Sequence, residues 1–302
     1  MTQIDAVLPL VASDVSRALI LIRSLERYFA GLGTVFVVTP DAQASEIGSR
    51  LRAVAAGLDL DVVPESRIVP EFELEQFRLT KGWYKQQLVK LAIAEHVATP
   101  FYLTLDADVV ATRPVSPEAL APGGRALCFV IDGDRHPDWY QNSERLLDGK
   151  CRRKGISHNV TPAVLAREGV LELAKDMGAR FEARRWVRGL GGIKQRFAAF
   201  RSRRTDRFAG WRLHLAAGLP WTEYALYYTF LEINDRFDAY HQETGDCVYD
   251  VERSIWRSSR LDADSWDPTP LFEGPGPPFF AVVQSNSGFT PESIAAKLAR
   301  FL

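Results

Sequence analysis

Short apolar runs alternate with amphipathic stretches through the first 132 residues. IDAVLPLV (Ile4–Val11) has the continuous apolar character of a buried strand. Ser13 or Asp14 can cap the stretch that follows, VSRALILIRSLERYF, whose apolar positions recur at helical spacing. TVFVVTP (Thr34–Pro40) predicts a second strand and residues 44–56 a second helix. LDLDVVP (Leu58–Pro64) predicts a third strand. A polar loop with some helical character leads to a stronger helix over about 82–98. FYLTL (Phe101–Leu105) then predicts a fourth strand and RALCFVID (Arg125–Asp132) a fifth. This alternation predicts an α/β fold, with a mostly parallel central sheet flanked by helices.

The pattern loosens beyond about residue 150, which predicts a more helical, variable C-terminal half. Helices are expected near Pro162–Met177 and over Thr222–Asn234. FFAVVQSNSG reads as strand and loop, and PESIAAKLARFL as a closing helix. With no clear linker, one domain is expected over 1–302.

Composition narrows the function classes. The net charge is −1, which gives no global argument for a nucleic-acid partner. Three cysteines, an odd number and far apart, suggest a reducing compartment rather than a disulfide framework or zinc site. The start MTQIDAVLPLV lacks a basic leader and cleavage site, and no apolar run is long enough to span a bilayer. A cytoplasmic enzyme of bacterial type is the expectation.

The chemistry-bearing feature is LDADVV, where the fourth strand delivers Asp106 and Asp108 with one residue between them. Like charges repel, and burying them is costly unless something positive lies between. Two carboxylates at a strand end suit a hard divalent cation, Mg²⁺ or Mn²⁺, that takes its other ligands from water and substrate phosphates. A turn with two solvated aspartates explains the tripeptide alone equally well. The position after three strand–helix units favours the functional reading, because ligands of parallel sheets sit beyond the carboxyl ends of the strands.

Four segments carry a family resemblance: GWYKQQLVKL before the acidic pair, LDADVV itself, HNVTP (His158–Pro162) and WTEYALY (Trp221–Tyr227). Together they resemble GT-A-type glycosyltransferases, and the DUF6492 family of bacterial chains in particular. The resemblance implies transfer of a sugar from a nucleotide-diphosphate donor, a UDP-sugar being the commonest, to a glycan or lipid-linked acceptor. Asp106, Ala107 and Asp108 would then face donor and metal, with Pro9, Leu10 and Val11 near the base. Many such enzymes supply a third metal ligand, often His, near the C-terminus. Here that place reads VVQSNSGF, with Gln284, Ser285 and Asn286 and no histidine.

In the helix before the acidic pair, Trp83, Gln87, Lys90 and Ala94 share one stripe, and Tyr84, Leu88, Leu91 and Glu95 the next. Packing explains the apolar members. Lys90 and Gln87 are candidates for donor contact, since lysine serves phosphate as a point charge; solvent-facing side chains are the plainer reading. Inverting transfer needs a general base, usually a carboxylate. Glu223 is the candidate, in a helix first turn where the dipole favours its ionised form. An ordinary helix-start acid behind a Thr222 cap explains it too, and in a retaining enzyme it would position the acceptor instead. His158, Asn159, Trp221 and Tyr224 are acceptor-site candidates, against a capped turn and helix packing as the alternatives. Asp132, Asp134 and His136 could face the same site, with a polar loop as the simpler reading.

The segment 180–212 is rich in arginine with interleaved aromatics. It suits peripheral contact with an anionic membrane face, an anionic acceptor, or plain solvation. No nucleic-acid-binding module accompanies it. Two other functions compete. Asp106–Val110 also fits the D-x-D-x-[TV] of haloacid-dehalogenase-like phosphatases, with Asp106 as nucleophile, Asp108 as acid/base, and Asp246 and Asp250 holding Mg²⁺. That fold, however, opens with its nucleophile strand. A non-catalytic nucleotide-sugar-binding protein is the remaining class.

Overall fold

The computed structural model describes residues 2–55, 57–77, 80–133, 136–158, 160–188, 210–212, 215–216, 220–245, 248–259, 261, 263–275 and 278–302, with backbone only at 76 and 182–188. Strands in the first half are β1 (Ile4–Pro9), β2 (Leu32–Thr39), β3 (Leu60–Pro64), β4 (Phe101–Thr104), β5 (Val109–Ala111) and β6 (Ala126–Asp132). The second half adds β7 (Ile156–His158), β8 (Ala163–Ala166), β9 (His241–Thr244) and β10 (Phe280–Val282).

The central sheet has the order β3-β2-β1-β4-β8. The first four strands run parallel and β8 pairs antiparallel with β4. Alternate side chains feed two cores, one on each face. Val7, Tyr102 and Leu165 join one cluster, and Ala6, Leu8, Leu103 and Val164 the other. Burial on both faces explains why β1 reads as an apolar run broken only at Asp5.

Asp5 is the polar exception in β1, at 5 % exposure. Its carboxylate accepts from the N–H groups of Thr34, Ala98 and Thr99, tying β1 to the starts of β2 and β4. Gly33 makes this approach possible: a Cβ there would stand 2.4 Å from Asp5 Oδ1.

The strand order places the site. Helix Val15–Tyr28 carries the chain from β1 to β2 on one side, while β4 lies on the other side of β1. Connections therefore leave in opposite directions at β1 and β4, opening a crevice beyond their carboxyl ends. Past the acidic pair, β5 pairs antiparallel with β10, so a C-terminal segment returns to this edge.

Two sequence expectations are corrected. The fifth predicted strand, β6, leaves the central sheet and forms a second one with antiparallel β7 and parallel β9. The helix expected from Pro162 begins at Arg167; Ala163–Ala166 is the edge strand β8. A four-residue apolar run flanked by proline carries no period that separates strand from helix. The other expected helices are present over Ala44–Arg52, Gly82–Ala92, Glu223–Ile233 and Pro291–Leu298.

Candidate active site

The acidic pair sits where β4 runs out. Leu105 N–H still reaches Val7 O at 2.9 Å, and the chain then turns through Asp106–Asp108 into β5. The turn is held from the C-terminal segment. Val283 N–H donates to Asp108 O at 2.8 Å, and Ser285 N–H to Asp108 Oδ2 at 3.0 Å. Arg17, from the helix after β1, fixes that segment through the carbonyls of Val283, Ser285 and Phe289. Burial, then the charge of Asp106, push the Asp108 carboxyl up to about 6, against the Ser285 N–H and Arg17. The stretch VVQSNSGF thus meets the acidic turn through its backbone.

The nearest positive charge to Asp106 is Lys90. Its Nζ lies 2.9 Å from Asp106 Oδ1 and 3.1 Å from Glu223 Oε1, and donates to Thr161 Oγ1 at 2.9 Å. The side chains of Lys90 and Glu223 are 3 % and 1 % exposed, whereas that of Asp106 is 40 % exposed. Burial opposes the ammonium, but Asp106, Tyr224 and Glu223 outweigh it and hold the Lys90 pKa well above the ordinary lysine value. Burial pushes the Glu223 carboxyl up, with Lys90 opposing. Neither oxygen of Glu223 has an aligned hydrogen-bond donor, so Lys90 acts on it by charge at contact distance.

Around this pair the network is dense. Tyr224 Oη bridges Thr104 and Thr161, and Tyr102 Oη donates to Lys90 O. Gln87 is buried and its Oε1 accepts from Glu223 N–H at 3.1 Å, so it anchors the start of the Glu223–Ile233 helix. Pro9, Leu10 and Val11 lie at the carboxyl end of β1, with Leu10 N–H paired to Val38 O. Pro9 and Leu10 are buried, Leu10 at 2 % exposure, and Val11 is partly exposed.

A cavity of about 790 Å³ adjoins the cluster on the side of the second sheet. Tyr224, Thr222 and His158 line it, as does Gln284, next to the Ser285 that holds Asp108. Its other walls were missed in the sequence: Trp139 and Tyr140 from helix Pro137–Leu146, and Tyr249, Trp256 and Arg257 from a loop. The signal was present in HPDWYQ, a proline helix start followed by two adjacent aromatics, and in IWRSS.

Several expected residues stand elsewhere. Trp221 is fully buried, donates to Leu215 O and stacks on Tyr84, so it cannot receive a sugar. Glu223 is buried one residue from two cavity-lining neighbours without lining the cavity itself. Asn159, Asp134, Asp246 and Cys247 lie outside the described residues, as do 189–209 of the basic segment. At the ends of that segment, Arg180 pairs with Asp176, and the 8 % exposed Arg212 with Glu71 and Glu95. Asp250, named in the phosphatase reading, turns both carboxylate oxygens to Arg253. Among the described residues no helix is long and apolar enough to cross a membrane.

No curated protein matches the chain. Solved structures give distant likenesses. Mouse xyloside xylosyltransferase 1, in its apo form, aligns at 11 % identity and TM-score 0.49 over 95 % of this chain and 100 % of that one. The apo glycosyltransferase GlyE of Streptococcus pneumoniae TIGR4 aligns at 12 % identity and TM-score 0.36, over 99 % of this chain and 64 % of that one. The whole chain, residues 1–302, matches the family described as "Family of unknown function (DUF6492)", and the protein belongs to that family.

Proposed function

We propose that this protein is a metal-dependent glycosyltransferase of the GT-A kind, moving a sugar from a nucleotide-diphosphate donor to an acceptor held in the aromatic cavity. One observation carries the reading. The acidic pair lies at the carboxyl edge of the sheet, at the β1/β4 switch point, with a ligand-sized cavity beside it. In this reading residues of about 1–135 serve the donor and about 136–302 the acceptor.

The donor set fits a divalent cation. Lys90 engages one oxygen of Asp106 and Ser285 one oxygen of Asp108, so each carboxylate keeps a second oxygen. Among the described residues no group of three or more His, Cys, Asp or Glu forms a closed cage. Two carboxylates without a cage suit Mg²⁺ or Mn²⁺, which keep waters and add substrate phosphates. Such an ion, when bound, supplies charge to a departing diphosphate.

The chain's own residues do the rest. Lys90 fixes the rotamer of Asp106 and offsets the repulsion within the acidic pair. Arg17 and Ser285 hold Asp108. Glu223 serves as the buried counter-charge of Lys90, a positioning role in place of the general base expected from its helix-start position. A cytoplasmic site of action, with contact to the inner membrane face through residues 180–212, belongs to the same proposal. The test is a screen of nucleotide sugars, UDP-sugars first, for Mn²⁺-dependent hydrolysis and transfer. Turnover that disappears in Asp106→Ala supports the reading. Release of phosphate from an aryl phosphate, with no nucleotide sugar consumed, would replace it with a phosphatase.

A further inference from the structure

Much of the polar wall of the cavity is already engaged within the protein, although His158 Nε2 is buried there without a hydrogen-bond partner. Ser157 Oγ donates to Gly133 O, and Thr222 Oγ1 accepts from Ala225 N–H. Tyr224 Oη is held between Thr104 and Thr161, and Tyr140 Oη accepts from His158 N–H. Trp256 Nε1 donates to Val251 O, and Gln284 Oε1 accepts from Arg257 N–H. A free sugar ring presents hydroxyls around its edge. Burying a full ring of them against groups already engaged leaves some unpaired, at a penalty for each.

Most of the wall is aromatic and aliphatic: Trp139, Tyr249 and Trp256 supply rings, and Ile131, Val160 and Val251 supply aliphatic surface. The apolar character continues to the rim, where Val160 is 36 % exposed and Trp83 42 % exposed, with Trp83 6.1 Å from Trp139 between ring centroids. Charge points the same way. The described lining holds one charged side chain, Arg257, which is exposed, and no carboxylate. A cationic occupant has no partner there, while a neutral apolar body with an anionic linker does.

Resting on the glycosyltransferase reading, we infer that the cavity receives the apolar aglycone of the acceptor: the substrate is a glycoside or phosphoglycoside on a hydrocarbon or aryl carrier, not a bare glycan. The aglycone fills the aromatic walls. The accepting hydroxyl then stands at the Gln284 end, where Ser285 meets Asp108. An acyl chain and an aryl group share this chemistry, and their sources separate by probe.

The experiment is calorimetric titration of the full chain with methyl, hexyl and octyl β-glucosides below their micellar concentrations, and with p-nitrophenyl β-glucoside. Affinity should rise at least tenfold from methyl to octyl. A carrier of lipid type gives octyl above p-nitrophenyl, and one of aryl type the reverse. Val160→Asp, at a partly exposed rim position, should remove the chain-length gain while leaving the thermal midpoint unchanged. Trp139→Ala should lower octyl affinity several-fold. Equal affinity for methyl and octyl, or an octyl affinity untouched by both variants, overturns the inference. Octyl glucoside binding without transfer from any nucleotide sugar would preserve the cavity's preference and remove the transferase. Transfer to methyl glucoside as efficient as to octyl would do the opposite.

Discussion

Lys90 Nζ lies 2.9 Å from Asp106 Oδ1 and 3.1 Å from Glu223 Oε1, one buried ammonium between a half-exposed carboxylate and a sealed one. The arrangement answers the question posed by two aspartates at a strand end. Part of their compensating charge is internal, carried by a lysine sixteen positions upstream on the preceding helix.

Removing that ammonium strands Glu223. Lys90→Met should lower stability by about 3 kcal/mol, as for other buried pairs broken from one side. Pairing it with Glu223→Gln removes the stranded charge and should recover most of the loss. Urea unfolding of the single and double variants measures both, and additive losses would show that the two residues do not interact.

Glu223→Gln alone separates a positioning role from general-base catalysis. A base in contact with the acceptor would lose roughly 10²-fold or more in kcat. A buried counter-charge predicts a smaller loss in kcat, accompanied by weaker Mn²⁺ affinity as Lys90 pulls harder on Asp106. Steady-state kinetics across a Mn²⁺ titration distinguishes them.

Arg17 couples the C-terminal segment to the acidic turn through three carbonyls. Arg17→Met should cost about 2 kcal/mol, in the range for hydrogen bonds to charged groups. It should also weaken Mn²⁺–nucleotide affinity, because Ser285 N–H loses its hold on Asp108. A variant that melts early but binds normally would place Arg17 in the scaffold alone.

Sequence patterning predicted the sheet because period and burial agree there: β1 and β4 are runs buried on both faces, and β2 alternates buried and half-buried positions before a buried end. The acidic pair was legible for the same reason, as charge ending such a run. Lys90 and Gln87 were legible as a stripe, but not as buried, since a long polar side chain carries no sign of its partner. The burial of Trp221 and Glu223 was not legible, because helix-start position says nothing about which side of the helix faces a cavity. The cavity wall was the least visible part. Trp139 and Trp256 come from separate loops and helices, brought together by the second sheet, whose strands β7 and β9 are short and non-local.

Two buried histidines give the fold a pH dependence. Burial pushes His158 and His241 down to about 3. Around His158 stand Tyr140, Tyr228, Phe237, Glu232 at 3.9 Å and the charge of Arg153; around His241 stand Tyr227, Tyr228 and Phe237. Both folded values lie below the unfolded one, near 6.5, so below that pH the unfolded chain takes up protons that the folded one refuses. Stability present at pH 7.5 is lost as pH falls from about 6.5 towards 3, at roughly 1.4 kcal/mol per pH unit for each histidine. His241→Gln should therefore lose about 1.4 kcal/mol less than wild type between pH 7.5 and 5.5. Urea midpoints at the two pH values check it.

The central claim is that Asp106 and Asp108 join a divalent cation to a nucleoside diphosphate. Calorimetric titration with UDP and GDP, in Mn²⁺ and in EDTA, on wild type and Asp108→Asn, tests it most directly. Binding should require Mn²⁺ and fall about tenfold or more in Asp108→Asn, a loss of roughly 1.4 kcal/mol at least. Binding of equal strength in EDTA, or in Asp108→Asn, would contradict it.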